Sequence, residues 1–184
     1  MNTKICKIDT QLDEYYSGIE ECDSLLFGEL VMAIMLGDNI KAKEIIKQNN
    51  NIIRKIDSKG FGVIHIVAWL NNYDFVDIYK NNHGDLNMLD DSGMTALHYS
   101  IMSNNTLMTI RLLQLGANPN MSDKDGNTCL HIAVVNNSSS IIELLLVCDA
   151  DPFMKNNKNH TPYDYSSIDI TLKNLFESFL DNYV

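Results

Sequence analysis

Three histidines share one register. His65, His98 and His131 are spaced 33 residues apart, and each follows an aliphatic residue, in Val63-Ile64-His65, Ala96-Leu97-His98 and Cys129-Leu130-His131. Imidazoles bind metals and move protons near neutral pH, so a spaced set of three raises both chemistries. The spacing argues against both. Neighbouring helical layers pack roughly 8–10 Å apart, whereas a shared zinc ion needs every nitrogen at about 2.0 Å. The histidines read instead as local structural groups. No phosphate loop, nucleophile elbow, HExxH pair or paired carboxylates in a plausible cleft accompanies them, so neither an enzyme, a cofactor nor a metal site is expected.

The elements that carry the histidines repeat with them. Gly60, Gly93 and Gly126 keep the same spacing, as do Asp57, Asp90 and Asp123. A block of residue types recurring at this period predicts stacked helical repeats. In the unit beginning at Asp90, Asp-x-x-Gly is turn chemistry: the carboxylate bonds nearby amides and Gly93 accepts positive φ. Thr95 is placed to cap a helix from Ala96, and Leu97, Ser100 and Ile101 follow at helical spacing. Leu112 and Leu113 mark a second helix that Gly116 stops. The unit therefore reads turn, helix, loop, helix, turn.

Gly93-Met94-Thr95-Ala96-Leu97-His98 and Gly116-Ala117-Asn118-Pro119-Asn120 resemble the G-x-T-P-L-H and G-A-D-V-N phrases of ankyrin repeats, and the next unit repeats them from Gly126 to Phe153. The flanking units are degenerate. The unit at Asp57 has Gly62 where the family has Thr, the unit around Leu30 to Gly37 has Val31 for His, and the last keeps Thr161-Pro162 ahead of an apolar stripe of Leu172, Leu175, Phe176 and Phe179. Terminal repeats are atypical because one face meets water. The resemblance implies an all-α solenoid of about five helix-turn-helix units with β-turn fingers and degenerate end caps, over residues 23–182, with units near 23–56, 57–89, 90–122, 123–155 and 156–182. Residues 1–22 form an acidic leader, either mobile or a short helix against the first unit. Its Tyr16-Ser17-Gly18 faintly resembles the phosphodegron of inhibitors of κB, with Tyr in place of Asp. The family's histidine bridges neighbouring turns, which makes His65, His98, His131 and the turn glycines Gly60, Gly93 and Gly126 structural.

In the ankyrin register the first helices form a palm and the turns form fingers. The outward palm positions carry Met35 and Leu36, Trp69 and Leu70, Met102 and Ser103, then Val135 and Asn136. The finger positions include Lys59 and Phe61, Asp91 and Met94, then Lys124 and Asn127. Trp and Met are what adaptable protein interfaces use. The competing reading of Trp69 is that it fills a gap left by the degenerate second unit.

With 184 residues and 45% hydrophobic content, the chain suffices for one domain with a continuous core. No apolar run approaches the roughly 18 to 20 residues of a membrane span, and Met1 to Lys7 lacks the apolar core of a secretion signal. The expectation is an intracellular protein, cytoplasmic with nuclear access, neither secreted nor membrane-bound. Cys6, Cys22, Cys129 and Cys148 lack metal or disulfide spacing and are expected to be reduced structural thiols. A net charge of −10 repels a phosphate backbone and steers basic partners, which excludes nucleic acid and points to a protein with a basic face; the same excess would also keep the chain soluble. Asn-x-Ser/Thr triplets are, without secretion, accidents of an Asn-rich composition. The chain is expected to be monomeric when free. The compact array with Thr161-Pro162-Tyr163 looks like short virus-encoded ankyrin proteins, including inhibitor-of-κB-like ones of bracoviruses and the poxvirus host-range set. That resemblance implies a Rel/NF-κB-type partner blocked by occlusion. The alternative is a cellular scaffold or assembly subunit holding one constant partner, and a third reading is an effector lacking its enzymatic domain.

Overall fold

The computed structural model describes residues 25–57, 59–166 and 169–183. The leader, Cys6, Cys22 and the degron-like stretch lie outside them. Ten α-helices and one 3₁₀ turn make up the described regular structure: α1 (Leu25–Met35), α2 (Asn39–Gln48), the 3₁₀ turn (Asn50–Arg54), α3 (Val63–Leu70), α4 (Tyr73–Asn81), α5 (Ala96–Met102), α6 (Thr106–Gln114), α7 (Cys129–Val135), α8 (Ser139–Val147), α9 (Pro162–Ser166) and α10 (Ile170–Tyr183). Among the described residues β-pairing is limited to two isolated antiparallel bridges, Ile56 with Gly62 and Ser122 with Thr128, so the fold is all-α.

Asparagine makes the hairpins. Each of the first four first helices is followed by a residue in the left-handed region: Gly37, Asn71, Asn104 and Asn137. Glycine adopts that conformation freely and asparagine more readily than other side chains. The next residue caps the second helix, and the Asp38, Asn72 and Asn105 side chains accept from the amides of Lys41, Phe75 and Met108. Satisfying one orphan N–H in this way is worth about 1 kcal/mol per helix. Second helices end in the same conformation at His83, Gly116 and Asp149, with φ of 63°, 93° and 63°.

The helices stack in two rows. The first helices α1, α3, α5, α7 and α9 pack each on the next, and the second helices α2, α4, α6, α8 and α10 do the same behind them. Ile64, Leu97 and Leu130 occupy equivalent, fully buried positions between the rows, alongside Phe75, Leu112 and Leu145. Burying each such side chain contributes about 1.5–3 kcal/mol, which makes the inter-row seam the main stabilising feature. At the end of the stack Leu172 and Phe176 are buried, while Lys173 and Glu177 pair outside at 3.6 Å.

Gly62 shows why the second unit departs from its neighbours. A Cβ there would meet the sulfur of Met88, so the thioether occupies the room a threonine side chain would need.

Candidate functional site

The turns form a ladder of fingers. Asp57, Asp90 and Asp123 each accept two backbone amides on Oδ1: from Lys59 and Phe61, from Ser92 and Met94, and from Asp125 and Asn127, all at 2.8–2.9 Å. Asn156 does the same for Lys158 and His160 at 3.0 and 3.1 Å. The third following residue is left-handed every time, as Gly60, Gly93, Gly126 and then Asn159. The glycines are required twice over. A Cβ on Gly60, Gly93 or Gly126 would lie 2.7–2.9 Å from the amide nitrogen of Asp91, Lys124 or Asn157 on the next finger. Those amides bond back across the gap: Asp91 to the Lys59 carbonyl, Lys124 to that of Ser92 and Asn157 to that of Asp125.

The histidines tie fingers to helices. Nδ1 of His65, His98 and His131 accepts the amide of Gly62, Thr95 and Thr128 at 3.0–3.1 Å. The Thr95 and Thr128 hydroxyls also meet Nδ1, at 2.8 and 2.9 Å. Nδ1 therefore carries no proton, and Nε2–H donates onward. His65 donates to the Met88 and Met94 carbonyls at 2.9 and 3.1 Å, and His131 to that of His160 at 3.0 Å. The matching acceptor for His98 is the Asn127 carbonyl, set at an angle or distance too poor for a full hydrogen bond. Burial holds all three imidazoles below their ordinary pKa, keeping them neutral. Each Nδ1 is spent within its own unit, and no three His, Cys, Asp or Glu side chains gather as metal ligands among the described residues.

Around this frame the candidate partner-binding residues divide. Leu36, Met102 and Val135 stand 75%, 50% and 69% exposed, with Ser103 and Asn136 exposed beside them. Met35, Trp69 and Leu70 are half-buried, and Met35 and Leu70 rest against the core. The Asn136 amide is spent on the Ile101 carbonyl of the preceding unit. On the fingers Lys59, Asp91 and Lys124 are exposed, whereas Met94 and Asn127 are half-buried. Asn127 bonds Asp123 and receives Asn156, so it builds the fingers as well as facing out. Phe61 is also half-buried, its ring turned onto Tyr99 and His65 at centroid distances of 5.0 and 5.3 Å. An open groove of about 450 Å³ separates the second and third fingers, lined by Asp91, Ser92, Met94, Asp123, Lys124 and Asp125.

A family model described as ankyrin repeats (three copies) matches residues 64–159, a little over half the sequence. The chain is an ankyrin-repeat protein. No curated protein shows a significant match to it. Ankyrin repeats are protein–protein interaction modules, typically non-catalytic. In this ankyrin-repeat protein the apolar surface continues past the palm residues read from sequence, because Ile40, Leu107 and Ile170 are exposed in the first turns of the second helices. Sequence reasoning missed them. The signal was an aliphatic residue one or two places after the capping Asp or Asn, where an acidic residue would have complemented the helix dipole.

No described helix is long and apolar enough to cross a membrane. Cys129 is buried and Cys148 half-buried, both as free thiols whose pKa burial raises.

Proposed function

We propose that this ankyrin-repeat protein acts by occlusion, covering a basic face of a Rel/NF-κB-type transcription factor inside the cell. The observation that carries the reading is the pairing of exposed apolar side chains on the first-helix ends with a finger groove that holds three carboxylates and one ammonium. Such a surface supplies desolvated anchors and an attractive field for a cationic partner. The net charge of −10 favours fast encounter with that partner.

A second reading, a scaffold subunit holding one constant partner, draws on Leu36, Ile40, Leu107 and Ile170. Permanent interfaces are more apolar than transient ones. A tagged full-length chain expressed in cells with an NF-κB reporter separates the two. Recovery of a Rel-family protein together with a reduced reporter signal supports occlusion. An unchanged reporter together with a stoichiometric complex of other subunits replaces it with the scaffold.

A further inference from the structure

Between the fourth and fifth units the first-helix row opens into a groove of about 380 Å³, lined by Val134, Val135, Asn137, Tyr165, Asp169 and Leu172. That volume is near the lower end of the roughly 300–1,000 Å³ typical of ligand pockets, room for one or two side chains. Its walls are apolar: exposed Val135 stands beside buried Val134 and Leu172, and the half-buried ring of Tyr165 closes one side. Asp169 brings a carboxylate. Its Oδ1 accepts the Thr171 amide at 2.8 Å and its Oδ2 the Asn137 amide nitrogen at 3.4 Å. The Thr171 hydroxyl and the Leu172 amide also approach the carboxylate, so what Asp169 offers the groove is its negative charge rather than free acceptor sites. The hydrogen bonds from Thr171 also hold the carboxyl below its ordinary pKa. No Lys, Arg or His is among the lining residues.

We propose that this groove is a subsite for two adjacent side chains of the partner protein, an aliphatic one against Val135 and Leu172 and a cationic one, Arg or Lys, against Asp169. The occupant follows from complementarity: apolar walls reward an aliphatic group, and a lone carboxylate without a cation rewards a positive one beside it. An acidic neighbour would be repelled. The subsite rests on the protein-binding reading and narrows it to a sequence feature of the partner.

The test is an amide-shift NMR titration of the full-length chain with capped tetrapeptides Gly-Leu-Arg-Gly, Gly-Leu-Gln-Gly and Gly-Gly-Arg-Gly. The Leu-Arg peptide is expected to shift the amides of Val135, Asn137 and Leu172. It should bind about three- to fivefold more tightly than the Leu-Gln peptide at low salt, the range of a surface ion pair, and lose that preference in high salt. Asp169→Asn keeps a helix-capping side chain, so the fold stays intact while the Arg preference disappears. Val135→Ser should weaken both leucine peptides. Equal binding of the Arg and Gln peptides, shifts centred on the fingers, or no shifts would overturn the proposal. The protein-binding reading fails separately: if wild type captures a partner from cells and D169N and V135S capture it equally well, the subsite falls and the module stands.

Discussion

At position 83 the backbone turns left-handed with a histidine where the next unit has Gly116, and Asp149 repeats the exception one unit later. A side chain there costs about 1–2 kcal/mol that glycine avoids. His83→Gly and Asp149→Gly are each expected to stabilise the chain by about 0.5–1 kcal/mol in urea unfolding, part of the gain being lost to the freer unfolded chain. Asp149→Gly should gain more, since it also removes a negative charge from a helix C-terminus. Gly126→Ala should do the reverse, because its Cβ meets both the forbidden conformation and Asn157. Trp69 belongs to this scale as well. Half-buried at the C-terminal end of α3, it is expected on Trp69→Ala to weaken recovery of the partner about tenfold, as hot-spot tryptophans do, with only a small fall in Tm. A large fall in Tm with intact recovery would return Trp69 to the core. The register of Asp, Gly and His was legible in the sequence because each type answers a backbone demand that recurs. The left-handed asparagines were not, since Asn is equally at home in caps and loops. Asn156 and Asn159 rebuild the fourth turn with amides in place of Asp and Gly, and a search for Asp-x-x-Gly passes over them.

Elements join where a histidine links a helix start to the next finger, and that joint is sensitive to acid. Burial lowers the pKa of His65, His98 and His131 from 6.5 in the folded chain. Below that value the unfolded chain takes up protons that the folded one refuses. The contribution of these residues is therefore complete above pH 6.5 and is lost as pH falls through the depressed folded values. Urea midpoints measured from pH 7.5 downward should begin to fall near pH 6.5, and the drop should shrink in His131→Gln. Protonation would also cost Nδ1 its role as acceptor, so the Thr128 amide would lose its partner and the Thr128 hydroxyl would have to turn from donor to acceptor. Helix order and the faithful units were legible at this scale, because a 33-residue block with caps and stops fixes where helices begin. Surface character was only partly so. Leu36, Met102 and Val135 face out as their register suggests, but the ring of Phe61 folds back onto Tyr99, a neighbour one unit away that no local pattern reveals.

For the whole molecule, a stack in which each unit touches only its neighbours makes stability local. Phe176→Ala, at a fully buried site of the last helix, is expected to cost about 3–5 kcal/mol. In a linear array that loss should appear first as faster hydrogen exchange across α9 and α10, with α3 and α4 still protected. Uniform loss of protection would mean that the array unfolds as one unit. The same linearity gives the finger ladder a mechanical meaning. The described residues supply one direct bond between the first and second fingers, Asp91 to Lys59, and one between the second and third, Lys124 to Ser92. The third and fourth share three: the Asn157 amide to Asp125, the Asn157 side chain to Lys124, and the Asn156 side chain to Asn127. Along the opposite edge the helices are clamped by full apolar packing. The ladder is thus a leaf spring pinned most closely, among the described residues, at its carboxy-terminal fingers, and amides there are expected to exchange more slowly than those of the second finger.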